Sequence, residues 1–565
     1  MGAICALKTC ICIAVAFGFL LPAVSTAAHL AHNDAALFPR GLSQHADYVV
    51  IAPEEHAAAL AGFISWKASC GYSPRLVTTA WIDGTYDGID EAEKIRNFLV
   101  DTYQEWGIDY VLLVGTRASI PMRSCYINPF NHSDAYAMIP TDYYYADLTG
   151  DWDADGDGYY GECWHDRADL YPEVWVGRIP SDDMETIRGI CNKTVAFEQD
   201  TGAWKHNVLQ LGAILFYQGY ENVFGVWNRS DGATLMERCR TDIFSSAGYM
   251  TTCLYEEAGL QPSTYAHDMP LNHSNVVAAW TQGYGVVSML GHASNTKITR
   301  LVWDNDDGDN VPEYPGELEY ISFLGISDSD RLTCETPPIV YTSGCHQLYT
   351  SRNIGRAFIE DGAAVAFIGS TDMSWYNVSM IWEDERDGGC MSMHYDFFRY
   401  LVAHGQKCGN ALYNAKASFY TRFMFPGHSL EWMLRCYGNL YGFNLYGDPS
   451  LGLTAEKIDG EPPEVELERP NQSLYILDTE IRPSFFGGTV ILGDITLTGD
   501  ATDTDSGTTR VEVYIDNGLK ATTPAGPLAW TWDEAALGRY TIKMVAHDAA
   551  GNIAGDTAEV FILNS

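Results

Sequence analysis

The chain has 565 residues and a formal charge of −40, from 74 Asp and Glu against 34 Lys and Arg. That balance excludes nucleic acid and an anionic membrane surface as partners, since both need clustered Lys and Arg, and makes cations the natural counterpart. A content of 46% hydrophobic and 13% aromatic residues supports large cores, and the length implies about two to four domains.

Residues 1–27 read as a secretory signal. Lys8 supplies a weak basic region, Ile11 to Val24 an apolar stretch, and Ser25-Thr26-Ala27 the small residues that a signal peptidase reads. Cleavage is expected near Ala27, with the product secreted or at the cell surface, and no other apolar run is long enough for a transmembrane segment. Cys5, Cys10 and Cys12 leave with the signal. Apart from Cys345, an even number of Cys remains, which permits disulfides in an exported chain without fixing their connectivity. None has the C-x-x-C spacing of a structural zinc site.

After a short segment, 28–45, residues 46–204 alternate strands at 48–52, 75–79 and 110–115 with helices at 54–69 and 90–106. This alternation predicts a parallel sheet with covering helices. Residues 151–162 then match D-x-D-x-D-G-x₅-E, with Asp151, Asp153, Asp155, Asp157 and Glu162 as carboxylates and Gly156 at the sharp turn. Such spacing brings hard oxygen ligands together, so a structural calcium ion is expected, in a loop without the flanking helices of an EF-hand. A second acidic cluster, Asp304 to Asn310 with Glu313, has the residue types but not the spacing, and lies in an insert placed to wall a cleft.

Residues 205–456 form a second α/β half, with strands at 209–216, 250–254 and 364–369 and helices at 232–246, 274–282 and 354–361. Two further apolar runs end in Gly291-His292 and Gly344-Cys345. If these are parallel neighbours, their carboxyl ends share one crevice, where open α/β sheets place their sites. A thiol beside an imidazole there makes a nucleophile and base. Beyond the linker Gly460-Glu461-Pro462-Pro463, residues 457–565 change to period-two strands, at 511–515, 540–547 and 558–563, with a hairpin turn at Asp516-Asn517-Gly518. These predict a β-sandwich.

Leu290-Gly291-His292-Ala293-Ser294, Ser343-Gly344-Cys345, Ala363 to Thr371 and Ser374-Trp375 resemble the catalytic half of the gingipain-type cysteine peptidases, relatives of caspases and legumain. The likeness extends upstream to Asp47 to Ala52, Trp66-Lys67, Tyr110 to Gly115 with Ile120-Pro121, and Pro172 to Pro180, and ends at Asn444 to Ser450. Asp505-Ser506-Gly507 and Asp548 to Asn552 look like turns of bacterial immunoglobulin-like modules. The resemblance implies an α/β fold of caspase-like parallel sheets with helices on both faces in two subdomains, followed by a small all-β immunoglobulin-like sandwich.

It further implies a cysteine endopeptidase acting on protein or peptide substrates through Cys345 and His292, with backbone N–H groups of Cys345 and Ala293 facing the oxyanion. Ala293 departs from the family's usual Gly. Asp231 is similar to the acid that reads Arg, or less well Lys, at P1, with a helix cap as its other reading. Glu221 falls where a His-orienting acid would stand, or is a surface charge; Trp375 matches the cover of the S1 pocket, or is core. No catalytic metal is implied. The competing reading is a catalytically inactive, calcium-stabilised surface or adhesion protein on the same fold, with the sandwich making cell-surface contact.

Overall fold

The structure, a computed structural model, describes residues 45–133, 138–376, 381–424, 428–483 and 488–564. The expected signal and the segment up to residue 44 lie outside the described residues.

Among these, an eleven-stranded sheet runs in the order Met269–Pro270, Met250–Tyr255, Asn207–Gly212, Val286–Leu290, Ile339–Ser343, Ala366–Ser370, Phe443–Tyr446, Trp175–Ile179, Tyr110–Val114, Tyr48–Ala52, Pro74–Thr78. The central strands are buried along their whole length, as continuous apolar runs such as Tyr110–Val114 require when helices cover both faces. Helix Glu91–Trp106 shows the local logic: Asp90 caps its start by accepting from Glu93 N–H, and Gly107 ends it in a left-handed turn at φ 69°. The two expected subdomains share this one sheet. Phe443–Tyr446 joins them, antiparallel to Ala366–Ser370 and parallel to Trp175–Ile179.

Several of the motifs that carry the resemblance turn out to be architecture. Lys67 is fully buried, with Nζ 2.8 Å from Glu198 and 2.5 Å from Asp448, whose other oxygen accepts from Tyr48 at 2.7 Å. Segments nearly 400 positions apart in sequence are thus tied by one buried ion cluster, which would leave unpaired buried charge if any member were lost. Arg178 likewise grips Asp142 with two nitrogens at 2.6 and 2.8 Å and donates to the carbonyls of Gly115 and Ile120.

Two expected elements differ. The strand expected at 209–216 breaks at Ala213, whose N–H goes to Leu290 and whose carbonyl accepts from Gly232, so Ile214–Phe216 turns off to pair with Ser230–Asp231. The helix expected at 232–246 is α-helical over Gly232–Cys239 and continues as a π-helix over Arg240–Phe244. All eleven described cysteines are free thiols.

The C-terminal residues form a seven-stranded and a three-stranded sheet around their own core, including Tyr475, Trp532, Ile542 and Met544. The hairpin turn is present: Ile515 pairs with Gly518, and Asp516 takes φ 55°. The segment expected to be a linker is docked. Trp175 Nε1 donates to Gly460 carbonyl at 2.5 Å, and fully buried Asn552 donates to the carbonyls of Asp459 and Glu461 while accepting from Asn410 and Asn414. Lys543 sends its amine to the carbonyls of Tyr420 and Met424, at the end of helix Cys408–Phe423.

Candidate active site

Val286–Leu290 and Ile339–Ser343 are parallel neighbours, paired from Val286↔Ile339 to Leu290↔Ser343. Gly291-His292 and Gly344-Cys345 leave these strands side by side. The glycine before each functional residue is set by close approach. A Cβ on Gly344 would lie 2.8 Å from Gly291 carbonyl oxygen and 2.9 Å from Ala293 Cβ, and one on Gly291 would lie 2.9 Å from Thr299 carbonyl oxygen. Beneath them, fully buried His394 takes a 2.8 Å hydrogen bond to Ser288 Oγ with one ring nitrogen and to Ser343 Oγ with the other, cross-bracing the two strands.

His292 Nε2 lies 2.7 Å from Leu215 carbonyl oxygen. A carbonyl only accepts, so Nε2 carries the hydrogen and Nδ1 is left as the basic nitrogen. The ring sits edge-on between Phe216 and Tyr320, each at 5.1 Å. Tyr320 belongs to the hairpin of Lys297–Trp303 and Leu318–Gly325, the insert expected to wall the cleft. Burial lowers the imidazole's pKa from its ordinary value, opposed by the Leu215 bond. Cys345 Sγ lies 3.5 Å from Ser374 N and 3.9 Å from Ser374 O. Burial pushes the thiol up to about 11, with Asp372 adding to the rise and Ser374 N–H opposing it. Burial thus disfavours both charged forms, raising the thiol and lowering the imidazole, while sulfur and Nε2 take backbone partners from Ser374 and Leu215.

The other expected residues fall as follows. Glu221 is exposed in a small hairpin, Glu221–Asn222 against Gly225–Val226, and the place of a His-orienting group is held by Leu215 carbonyl. The reason is packing: Trp227 stacks on Phe216 at 3.7 Å and Phe224 meets Trp375 edge-on, so the aromatic side chains of this hairpin face inward and the carboxylate faces solvent. Asp231 is the N-cap of Gly232–Cys239, accepting from Ala233 N–H at 3.0 Å, and its second oxygen lies 3.7 Å from Arg229. Trp375 follows the residue that touches Cys345; its backbone is held by Asn439 at 2.8 and 3.0 Å, and Arg435 lies over its ring. Ala293 continues the strand after His292 and faces Ile298. A narrow pocket of about 10 Å³ opens among Trp227, Ser230, Tyr376, Trp382 and Met391; Tyr376 hydroxyl donates to Ser343 carbonyl, which joins the pocket to the Cys345 strand.

Sequence reading gave no role to Leu215, Ser374, Tyr376 or His394, although Ser374-Trp375 is part of the resemblance. Two of them act through backbone atoms, which no residue type signals. His394 lies about 50 positions from Cys345 in sequence, and only its pattern as a polar residue within an apolar helix marked it.

The acidic loop departs from the expected ligand set. Asp151 exchanges two backbone hydrogen bonds with Arg167 and pairs with its guanidinium at 2.8 Å, so it closes the loop's ends. The carboxylates that converge are Asp153, Asp155 and Asp157, two residues later in register; Gly156, the expected turn, takes φ 74° and Gly158 φ 83°. Glu162 converges instead with His132 and Asp157, and with Asp155 and His165. In the second acidic cluster Asp306 and Asp307 meet Glu317, not Glu313, and Glu317 is already engaged by Asp307 N–H and Trp303 Nε1.

With strand order and site in place, the class is that of a caspase-like α/β cysteine peptidase carrying a bacterial immunoglobulin-like module. Residues 41–454 match the model of peptidase family C25, and the chain belongs to that family; residues 487–544 match that of a bacterial Ig domain. Similar solved structures include the Arg specific cysteine proteinase gingipain R, at 15% identity over 93% of this chain and 100% of that one with a TM-score of 0.50. A complex of RgpB pro- and mature domains from Porphyromonas gingivalis has 16% identity over 91% and 99%, with a TM-score of 0.49. No curated protein matches the chain. Among the described residues no helix is long and apolar enough to cross a membrane.

Proposed function

We propose that this chain is a secreted cysteine endopeptidase working through Cys345 and His292. The observation that carries this reading is the placement of the thiol and imidazole at matched positions beyond two paired parallel strands, each after a glycine that the close approach requires.

Burial raises the thiol's pKa and lowers the imidazole's, which favours proton transfer in step with attack. Cys345 Sγ bonds to the scissile carbonyl carbon as His292 Nδ1 takes the thiol proton, and the carbonyl oxygen becomes an oxyanion facing the N–H groups of Cys345 and Ala293. The C–N bond then breaks as the imidazolium gives its proton to the leaving amine. Water, deprotonated by His292, attacks the thioester, releases the acid and restores the thiol.

For specificity the reading is Arg, and less well Lys, at P1. Asp231 supports it: its side chain is only 8% exposed, and its free oxygen already faces a guanidinium, that of Arg229. A substrate arginine would run its stem past Trp227 and Tyr376 and compete with Arg229 for that oxygen, which requires the narrow pocket to widen. Labelling the protein with peptidyl acyloxymethyl ketones bearing Arg, Lys, Asn or Asp at P1 tests both parts. Labelling lost in Cys345→Ala and led by Arg supports the reading; no labelling by any probe refutes the dyad, and labelling led by Asn or Asp refutes the P1 assignment.

A further inference from the structure

We infer that Asp155, Glu162 and His165 form a three-ligand site for a zinc-class dication, a cysteine-free set of mixed oxygen and nitrogen donors, in place of the oxygen-only calcium site that the loop's spacing suggests. The inference is independent of the proposed peptidase chemistry.

The first observation is geometric. His165 Nδ1 lies 3.6 Å from Asp155 Oδ2 and 3.7 Å from Glu162 Oε2, and the ligand atoms of the three residues all lie within 4.8 Å of one another. Zinc bonds to nitrogen and oxygen of about 2.0–2.2 Å give tetrahedral ligand-to-ligand edges of roughly 3.3–3.6 Å. Both nitrogen-to-oxygen separations, 3.6 and 3.7 Å, match edges of such a tetrahedron to within a few tenths of an ångström.

The second observation points to a ligand independently of the cluster. Glu162 is 1% exposed, and its Oε2 is buried with no hydrogen-bond partner. A buried carboxylate oxygen without a partner is costly, and a bound dication would relieve it. The other oxygen, Oε1, is 2.6 Å from His132 Nε2, and the His132 ring stacks on Tyr159 at 3.6 Å. A ligating carboxylate held by an outer hydrogen bond is the arrangement that orients metal ligands.

Donor chemistry selects the ion. Calcium takes six to eight oxygens and magnesium an octahedron of them, whereas imidazole suits borderline metals such as zinc. The loop has also committed part of its oxygen supply. Asp153 Oδ1 accepts from Gly158 N–H and Asp157 Oδ1 from Tyr159 N–H, while Asp155 Oδ1 accepts from Asp157 N–H and leaves Oδ2 for the site. Two carboxylates and a neutral imidazole would balance the dication's charge. The loop is seated on helix Leu430–Gly442: Tyr441 hydroxyl donates to Gly161 carbonyl, and the same helix holds Trp375 through Asn439. An ion here would stiffen the loop against the helix that supports Trp375 beside Cys345.

The test is calorimetric titration and thermal unfolding of the full chain, stripped with chelator and then given zinc, calcium or magnesium chloride singly, alongside His165→Ala and Glu162→Gln. His165 is about two-fifths exposed, so its loss should leave folding intact, and the Glu162 change keeps the side-chain shape. One zinc ion per chain that raises the unfolding temperature, with affinity at least tenfold weaker in both variants and cobalt giving the intense visible absorption of a tetrahedral site, supports the inference. Stabilisation by calcium alone that survives in His165→Ala would overturn it in favour of an all-oxygen loop, as would the absence of any shift with zinc.

Discussion

His292 and Cys345 each stand two residues beyond Leu290 and Ser343, which face one another in register on adjacent parallel strands. Neighbouring strands lie about 4.8 Å apart, so equal extension from a register pair delivers an imidazole and a thiol to opposite sides of one gap. The same pairing makes each group dependent on the strand beneath the other.

Cys345→Ala is expected to lower kcat/KM on peptide substrates by about 10⁴-fold or more, and His292→Ala by a similar factor, because the pair acts as a unit. Unfolding temperatures should change little for Cys345→Ala, which removes one sulfur at a strand end. Peptide hydrolysis near the wild-type rate in either variant would contradict the assignment. Since burial lowers the His292 pKa and the base must be neutral, the acid limb of the kcat/KM profile should fall below the ordinary value of about 6.5.

Gly344→Ala should impair both stability and turnover. The added carbon meets Gln347 Nε2, which is held by Thr342 Oγ1, as well as Gly291 carbonyl oxygen and Ala293 Cβ, and overpacking of this kind costs about 1–3 kcal/mol. Gly189→Ala in helix Met184–Gln199, where a Cβ meets nothing within 4 Å, should instead be neutral or stabilising by up to about 1 kcal/mol. Chemical denaturation of both variants beside a kcat measurement distinguishes local crowding from a general intolerance of substitution.

The His394 brace predicts a pH dependence of stability. Burial holds its pKa down at about 3 from an ordinary 6.5, so the unfolded chain binds the proton first as acid is added. The contribution is fully present above pH 6.5 and is lost as pH falls from there toward 3, with a slope of up to about 1.4 kcal/mol per unit. His394→Gln, which bonds to a serine hydroxyl without titrating, should flatten that slope in denaturant titrations between pH 7 and 5. An unchanged slope would assign the acid sensitivity to carboxylates.

Asp231→Asn should reduce kcat/KM for Arg at P1 by roughly thirty-fold or more, as expected when one partner of a desolvated charge pair, worth about 2–5 kcal/mol, is removed. A neutral P1 residue should be affected far less. A uniform fall across P1 residues, with a lowered unfolding temperature, would mean that Asp231 serves only as the cap of Gly232–Cys239.

Asn552→Ala should loosen the sandwich from the peptidase half. It removes donors to Asp459 and Glu461 carbonyls and the acceptor for Asn410 and Asn414, each a buried group whose desertion costs about 1–3 kcal/mol. Earlier proteolytic release of residues after about 457, with peptide hydrolysis retained, is the expected result; a single unfolding transition at the wild-type temperature would contradict it.

The alternation of strands and helices, the period-two strands of the C-terminal sandwich, and the Gly-His and Gly-Cys endings were legible in the sequence, because side-chain periodicity and glycine placement are local properties of a chain. So was the family, through an ordered series of motifs. Several of those motifs serve the architecture, as Lys67, Asp448 and Arg178 demonstrate, and their meaning appears only when remote segments meet. Tertiary structure alone decided what surrounds the chemistry. Leu215 orients His292 through a backbone carbonyl, Glu221 is turned to solvent by the aromatic packing of its hairpin, and Asp151 is drawn from the acidic loop by Arg167. In each case the outcome depended on which partner lay within hydrogen-bonding or ion-pairing reach, and spacing along a chain does not encode distance across a fold.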